Sequence, residues 1–210
     1  MPSAGADGCA GSGRMSSATP WWCVDSDPRA VAPVAGPEAP KYAMEARKIC
    51  ILGDFAVGKT SLVSRFVRNQ FSRKYLTTIG VRVDVKEVAL PDGTPYKLAV
   101  WDLAGTDTPT SLFLRYLRGS SGYLLVADGT RADTLDRALE LREAIESHLS
   151  VLPFVGLINK VDLAGQQEID AARLALLRDA NETWLECSAL DGTNVEQAFG
   201  LLLGAMVASA

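Results

Sequence analysis

Residues 53–60 read GDFAVGKT, which fits G-x-x-x-x-G-K-[ST], the pattern of a loop that wraps a phosphate chain. The apolar run Lys48–Leu52 before the loop predicts a buried strand, and apolar residues at helical spacing predict a helix over Thr60–Asn69. Between a strand and a helix N-terminus, backbone N–H groups and the helix dipole suit a di- or triphosphate. Within the loop, the bulky Phe55 occupies a point where the backbone must pass close to the ligand.

The composition fits one globular α/β domain with some additional chain, since 48% of the 210 residues are hydrophobic. The net charge of −4 gives no reason to expect nucleic acid or an anionic membrane as the main partner. The four cysteines form no C-x-x-C pair. Cys50 and Cys187 lie in apolar runs, so we expect buried thiols and a cytoplasmic protein.

Residues 1–43 differ from the rest, because Ala, Gly, Pro and Ser dominate them and no helical or strand period is visible. Such a stretch cannot bury enough apolar area to offset its ordering entropy, so we expect a disordered N-terminal extension. Met44 allows an alternative, in which the working protein begins there and the first 43 residues are a gene-model artefact. Residues 44–210 are expected to form the folded domain.

After Met44 the patterns alternate between strand and helix. Further strands are predicted over Val81–Leu90, Tyr96–Trp101, Tyr123–Ala127, Phe154–Ile158 and Thr183–Cys187. Further helices are predicted over Thr134–Leu149, Ile169–Asp179 and Asn194–Met206. A turn at Pro91–Thr94 makes the first two of these strands a hairpin. The alternation predicts an α/β fold with a six-stranded, mostly parallel sheet, one antiparallel edge strand and helices on both faces.

A second motif, Asn159-Lys160-Val161-Asp162, follows the predicted strand Phe154–Ile158. It therefore lies at the carboxyl end of a strand, where doubly wound sheets bind ligands. The Asp162 carboxylate can accept two hydrogen bonds from the ring N–H and amino group of guanine, whereas adenine presents no matching pair of donors. Downstream of a phosphate loop, this motif predicts a guanine nucleotide.

From Lys48 to the C-terminus the chain resembles a Ras-superfamily small GTPase, closest to the Rab branch. The resemblance rests on GDFAVGKT, YLTTIGV at 75–81, WDLAG at 101–105, RYLRGSSGYLLVAD at 115–128, NKVD and ECSAL at 186–190, all in family order. It implies the P-loop GTPase fold (the G domain), with GTP or GDP and Mg²⁺ as cofactors. It also implies effector, exchange-factor and activating proteins as partners, bound through two switch regions.

Several roles follow from this resemblance. Thr78 matches the switch I threonine, whose hydroxyl ligates Mg²⁺ and whose N–H meets the γ-phosphate. Asp102 matches the carboxylate beside Mg²⁺, and Gly105 matches the glycine whose N–H senses the γ-phosphate. Phe71 matches the aromatic residue packed against the base, and Ser188-Ala189 match the loop that supports the guanine oxygen.

The sequence thus defines three sets of candidate site residues. The nucleotide-binding candidates are Asp54, Phe55, Ala56, Val57, Gly58, Lys59, Thr60, Ser61, Phe71, Tyr75, Thr78, Gly105, Asn159, Lys160, Asp162, Ser188, Ala189 and Leu190. The metal-binding candidates are Thr60, Thr78 and Asp102. The catalytic candidates are Lys59, Thr78, Gly105 and Thr106.

Three positions depart from the family pattern. Thr106 stands where the family usually has the glutamine that orients the attacking water. Phe55 stands where the family has Gly or a small residue, and its ring would crowd that glutamine and any inserted arginine finger. Leu190 replaces a long side chain that stacks along the base. We expect nucleotide binding to be retained and hydrolysis to be slow or to need an unusual partner.

Two features bear on partners. Arg65, Arg68, Arg73 and Lys74 cluster around switch I, where they form either a contact for an acidic effector or, as we favour, a solvated face. The end of the chain, Gly204–Ala210, carries neither a cysteine nor a basic tail, and no glycine follows Met1 or Met44 directly. The sequence therefore predicts no direct lipid anchor.

Three functions remain open. The favoured one is a GTP/GDP molecular switch that hydrolyses GTP slowly without help. The second is a binding scaffold that stays loaded with GTP and does not hydrolyse it. The third is a phosphate-loop kinase for a small metabolite, which NKVD, WDLAG and the lack of a visible acceptor-binding lid disfavour.

Overall fold

The computed structural model describes residues 44–72, 77–105, 111–149, 151–179 and 182–209. Residues 1–43, for which disorder is predicted, lie outside the described residues. The candidate site residues Tyr75 and Thr106 lie outside them as well.

The described part of the chain contains six strands and five α-helices, which alternate except that the second and third strands follow one another directly. The strands are β1 (Glu45–Gly53), β2 (Val81–Ala89), β3 (Pro95–Leu103), β4 (Gly122–Asp128), β5 (Phe154–Asn159) and β6 (Trp184–Glu186). The helices are α1 (Lys59–Arg68), α2 (Ser111–Leu117), α3 (Asp133–His148), α4 (Ala171–Asp179) and α5 (Val195–Ala208), and a 3₁₀ turn spans Ala164–Gln166.

The strands form one sheet in the order β2-β3-β1-β4-β5-β6. Strand β2 pairs antiparallel with β3, and all the other pairs are parallel. This arrangement confirms the predicted six-stranded, mostly parallel sheet with one antiparallel edge strand. The parallel strands bring the ends of β1, β4 and β5 to the same edge, which positions the phosphate loop beside the NKVD motif.

Alternate residues of β1 enter two different cores, as the period of a strand requires. Ile49 and Ile51 belong to a cluster that includes Phe66 of α1 and Phe199 of α5, whose rings stack with centroids 3.6 Å apart. Cys50 and Leu52 belong to a cluster on the other face that is covered by α3 and α4. The prediction of helices on both faces is confirmed, as is the burial of the thiols of Cys50 and Cys187.

Most predicted elements occur within a few residues of their observed bounds. The sequence patterns missed one helix, because α2 has only the seven residues SLFLRYL, about two turns, which is too short for a helical period to be read. Among the described residues, no helix is both long and apolar enough to cross a membrane.

Candidate nucleotide-binding site

A cleft of about 1200 Å³ opens at the carboxyl ends of the parallel strands. Its lining includes the predicted residues Phe55, Ala56, Gly58, Lys59, Thr60, Ser61, Phe71, Thr78, Gly105, Asn159, Lys160, Asp162, Ala189 and Leu190. It therefore brings together the phosphate loop, part of switch I, the end of β3 and both base motifs. Four other candidates, Asp54, Val57, Asp102 and Ser188, lie behind this lining.

The phosphate loop turns sharply at two glycines with positive φ, Gly53 at 140° and Gly58 at 100°. At Gly58 the need for glycine is also steric, because a Cβ there would lie 2.2 Å from Nδ2 of Asn159. That amide in turn donates to the carbonyl oxygen of Val57 at 2.8 Å. The loop is thus packed against the NKVD motif and leaves no room for a side chain at this position.

Lys59 begins α1 and is only 6% exposed. Its Nζ donates to the carbonyl oxygens of Gly53 at 2.9 Å and Asp54 at 2.8 Å. Burial lowers the pKa of the Lys59 ammonium to about 8, while the carboxylates of Asp102 and Asp54 act in the opposite direction. A lysine has three N–H donors, so a buried ammonium with two carbonyl partners is suited to a phosphate oxygen as the third.

Three oxygen atoms converge beside Lys59. The Thr60 hydroxyl donates to Oδ2 of Asp102 at 2.6 Å and lies 2.7 Å from the hydroxyl of Thr78. Asp102 is fully buried, and burial raises the pKa of its carboxyl group despite the hydrogen bond from Thr60 and the charge of Lys59. Its other oxygen, Oδ1, has no hydrogen-bond partner among the described residues.

These oxygens fit Mg²⁺ held together with phosphate. Magnesium is usually bound through one or two carboxylates, phosphate oxygens and water, rather than by an all-protein cage. Among the residues that the structure describes, no group of three or more His, Cys, Asp or Glu could hold a metal ion alone. The two threonine hydroxyls and the unsatisfied oxygen of Asp102 therefore suit a cation that a bound nucleotide helps to hold.

Asn159 connects the phosphate loop to the base motifs. It is buried at the end of β5, and its Oδ1 accepts from the backbone N–H of Ala189 at 3.1 Å. Through Nδ2 it also contacts Val57, as described above. One amide side chain thus fixes two loops that are far apart in sequence, which explains the role of asparagine at this point of the motif.

Asp162 and Ser188 form the polar side of the base region. The Ser188 hydroxyl donates to Oδ1 of Asp162 at 2.6 Å and accepts from the backbone N–H of Leu190 at 3.1 Å. Phe71 and Leu190 contribute exposed apolar surface to the same cleft. A carboxylate opposite apolar walls is suited to a flat ring that carries hydrogen-bond donors on its edge.

Arg65 contacts this base loop, so the prediction of a solvated face is wrong for this residue. Its Nε donates to the carbonyl oxygen of Ala189 at 2.9 Å, and its guanidinium also contacts the carbonyl of Leu190. The sequence offered no signal for the contact, because helical spacing places Arg65 on α1 but does not say which distant loop α1 faces. Arg68, by contrast, forms an ion pair with Asp84 of β2, whose side chain is 10% exposed.

Phe55 lies directly beside Gly105. A Cβ on Gly105 would be 2.6 Å from the Cα of Phe55 and 2.8 Å from its backbone nitrogen. Phe55 is 46% exposed and lines the cleft. The Phe55 side chain is therefore attached next to Gly105, and Gly105 precedes Thr106 in the chain.

A strand–loop–helix phosphate site at the edge of a doubly wound sheet defines a P-loop nucleotide-binding protein. Comparison with known proteins narrows this class. A family model described as "Ras family" matches residues 48–208.

Individual relatives agree with this match. The chain is 39% identical over 161 residues to the Ras-related protein Rab-25 of Homo sapiens, covering 74% of each chain. It is 36% identical over 161 residues to the Ras-related protein YPTC6 of Chlamydomonas reinhardtii, covering 74% of this chain and 73% of the relative. It is also 36% identical over 162 residues to the Ras-related protein RABA2c of Arabidopsis thaliana, covering 75% of this chain and 73% of the relative.

The chain belongs to the Ras family. It is a Rab-like small GTP-binding protein of the switch type, and its cofactors are GTP or GDP and Mg²⁺. Membership also implies regulators and effectors as partners. The predictions of family, fold and cofactors are confirmed.

Proposed function

We propose that this protein is a GTP/GDP switch whose intrinsic GTP hydrolysis is slow. The observation that carries the proposal is the position of Phe55. Its backbone packs against Gly105, the residue that precedes the candidate catalytic residue Thr106 in the chain, and the exposed Phe55 side chain lines the cleft. A water or an arginine finger that approaches the terminal phosphate from this side would meet the phenyl ring.

The proposed nucleotide contacts come from both sides of the cleft. The N–H groups of residues 54–60 and the ammonium of Lys59 bind the phosphates. Asp162 accepts from the guanine edge, while the loop of Ser188 and Ala189 supports the guanine oxygen. Phe71, Tyr75, Lys160 and Leu190 cover the rest of the base and ribose.

The proposed metal contacts are the hydroxyls of Thr60 and Thr78 and the carboxylate of Asp102. Bound Mg²⁺ would neutralise negative charge on the phosphates. Thr78 and Gly105 are also proposed to bind the terminal phosphate through backbone N–H groups, so both switch loops are ordered only while that phosphate is present. Effectors, exchange factors and activating proteins are proposed to bind these loops.

Slow hydrolysis is proposed because Thr106 is too short to orient water as a glutamine does. A second candidate function, a scaffold that remains loaded with GTP, is favoured by the same exposed ring of Phe55. The two functions differ only in whether the protein converts its GTP within its working lifetime.

Single-turnover cleavage of GTP by the purified protein decides between them. We expect slow cleavage by the wild type and by Thr106→Gln, because Phe55 still crowds the site in the single variant. The double variant Phe55→Gly with Thr106→Gln is expected to cleave at least about tenfold faster than Thr106→Gln. Leu176→Ala on the exposed side of α4 is the control and should match the wild type.

The cleavage assay and the identity of the nucleotide bound to the purified protein together give three distinguishable results. Rapid unassisted cleavage by the wild type contradicts the proposal. No cleavage by the wild type, together with GTP bound to the protein as purified, favours the scaffold. Bound GDP in the purified protein favours the switch.

The nucleotide-binding domain is proposed to span residues 44–210, with residues 1–43 as an extension that nucleotide binding does not need. A chain of residues 44–210 should then bind GDP with the affinity of the full chain, measured by displacement of a fluorescent analogue. If removal of the extension lowered the GDP affinity tenfold or more, which corresponds to about 1.4 kcal/mol, this would argue for a role of residues 1–43 in the site.

A further inference from the structure

A chain of polar contacts runs from the phosphate loop to the NKVD motif. Arg131 Nη2 donates to the carbonyl oxygen of Phe55 at 2.7 Å. Arg131 Nε lies 3.3 Å from Oδ2 of Asp128, and the same carboxylate oxygen accepts from Nζ of Lys160. Neither Arg131 nor Asp128 lines the cleft, and neither was a candidate from the sequence.

Asp128 is the fixed centre of this chain. It ends β4 and is 1% exposed. Its Oδ1 accepts from the backbone N–H of Thr130 at 3.0 Å and from the Thr130 hydroxyl at 2.7 Å. Burial opposes ionisation of the carboxyl group, but the hydrogen bonds from Lys160 and Thr130 outweigh it and lower the pKa of Asp128. A buried carboxylate with four donors is a rigid acceptor for Arg131.

The contact with Phe55 has a consequence for the next residue. In a trans peptide the carbonyl and the following N–H point in opposite directions. When the Phe55 carbonyl points towards Arg131, the N–H of Ala56 must point away from it. Ala56 lines the cleft and has a φ of 59°, a left-handed conformation that a residue with a side chain seldom adopts without support. The contact with Arg131 supplies such support.

Arginine is suited to this task because its planar fork separates two donor directions. Nε faces Asp128 while Nη2 faces the Phe55 carbonyl, so one side chain joins a buried anion to the loop. The ammonium of lysine is a single point donor without this rigid fork, so it would hold the two acceptors less firmly in place. Since the Arg131 side chain is 37% exposed, the ion pair alone would contribute little, and the directed hydrogen bonds matter more.

We propose that Arg131 is a positioning residue for phosphate binding, which holds the Phe55–Ala56 peptide so that the Ala56 N–H faces the nucleotide. Asp128 orients Arg131 and also holds Lys160, so the phosphate loop and the base motif are joined beneath the ligand. This inference rests on the proposed nucleotide contacts of residues 54–60.

The test compares the dissociation of fluorescent GDP from the full-length wild type, Arg131→Gln, Arg131→Lys and the control Arg137→Gln. Arg137 lies on α3, the helix that follows Arg131 in the chain, and pairs with Glu140 on the surface. We expect Arg131→Gln to release GDP about tenfold faster than the wild type, as loss of a hydrogen bond from a charged donor implies. Arg131→Lys, which keeps the charge but loses the fork, should recover only part of the difference. Arg137→Gln should match the wild type.

A second readout separates positioning from general stability. Amide hydrogen exchange of the GDP-bound proteins should rise in Arg131→Gln within residues 53–58 and remain unchanged in α5. Exchange that rises equally throughout β4, α3 and α5 would indicate a merely structural role and overturn the inference. So would GDP release by both Arg131 variants at the rate of the control. If the wild type itself fails to retain GDP, the proposed nucleotide contacts fail instead.

Discussion

The guanidinium of Arg65 lies 2.9 Å from the carbonyl oxygen of Ala189, although 124 positions of sequence separate the two residues. Helix α1 begins with Lys59 at the phosphate loop, so the same helix contacts both ends of the cleft. One helix therefore contacts both the phosphate loop and the loop proposed to support the base. Loss of the Arg65 contact should therefore change the rate at which bound nucleotide dissociates.

Replacing Arg65 with Ala should accelerate nucleotide dissociation. Two hydrogen bonds from the guanidinium to the carbonyls of the base loop are lost, and the loop gains freedom. We expect about tenfold faster release of fluorescent GDP, or about 1.4 kcal/mol. Arg68→Ala on the same helix removes only the ion pair with Asp84, which Arg82 still contacts, and serves as the control. Equal release rates for the two variants would show that Arg65 does not support the base loop.

Replacing Gly58 with Ala should weaken nucleotide binding severely. The new Cβ would meet Nδ2 of Asn159 at 2.2 Å, at a φ of 100°. Asn159 cannot retreat without losing its bond to Val57. We expect an affinity loss of about 2–3 kcal/mol, measured by titration with a fluorescent guanine nucleotide.

Gly93→Ala provides the matched control for this prediction. Gly93 has a φ of 85°, but a Cβ there would meet nothing within 4 Å. The Gly93→Ala variant therefore has the backbone strain without the steric contact. It should lower the free energy of unfolding by about 1 kcal/mol and leave the nucleotide affinity unchanged. Similar affinities of the two variants would mean that the steric contact at Gly58 has no consequence for the site.

The parts of the site that the sequence predicted are those set by local chain geometry. The loop at residues 53–60 must form wherever a buried strand meets a helix through those glycines, and NKVD must lie at a sheet edge because a strand precedes it. Arg65, Asp128 and Arg131 could not be found this way. Their roles depend on which loops the tertiary fold places beside them, and neither helical spacing nor residue type contains that information.

The same distinction holds for the fold. Alternation of strands and helices predicted the sheet, its antiparallel edge and the helices on both faces, because each amphipathic element must cover the other. Helix α2 was missed because seven residues make only about two turns, which is too few for a helical period to be read. The place of Phe55 in the loop, together with the family resemblance, predicted a ring at the nucleotide site, and Phe55 lines the cleft with 46% of its surface exposed.

Replacing Gly156 with Ala should destabilise the protein. Gly156 lies in β5 beneath Trp184, and a Cβ there would come within 2.2 Å of the indole ring. Trp184 is itself buried against Phe154, so the ring has little room to move. We expect a loss of about 1–3 kcal/mol in the free energy of unfolding, measured by denaturant titration of the GDP-bound protein.

Gly200→Ala is the opposite case in the same assay. Gly200 lies on the exposed side of α5, where a Cβ would meet nothing within 4 Å. Replacing an interior helical glycine with alanine should raise the free energy of unfolding by about 1 kcal/mol. If both variants shift stability in the same direction, the steric account of Gly156 is wrong.

The buried thiol of Cys187 should make stability depend on alkaline pH. Burial, followed by the charges of Asp162 and Asp191, raises the pKa of this thiol from 9.0 to about 12. Above pH 9 the unfolded chain loses this proton while the folded protein retains it, so stability falls as the pH rises between these two values. One proton corresponds to at most about 1.4 kcal/mol per pH unit.

Comparison with Cys187→Ala isolates this contribution from other groups that titrate in the same range. Between pH 9 and pH 10 the free energy of unfolding of the wild type should fall more steeply than that of the variant, because alanine carries no ionisable proton. Denaturant titrations at closely spaced pH values measure the two slopes. Parallel slopes would mean that the thiol ionises equally in the folded and unfolded chains, which its complete burial beside Asn159 argues against.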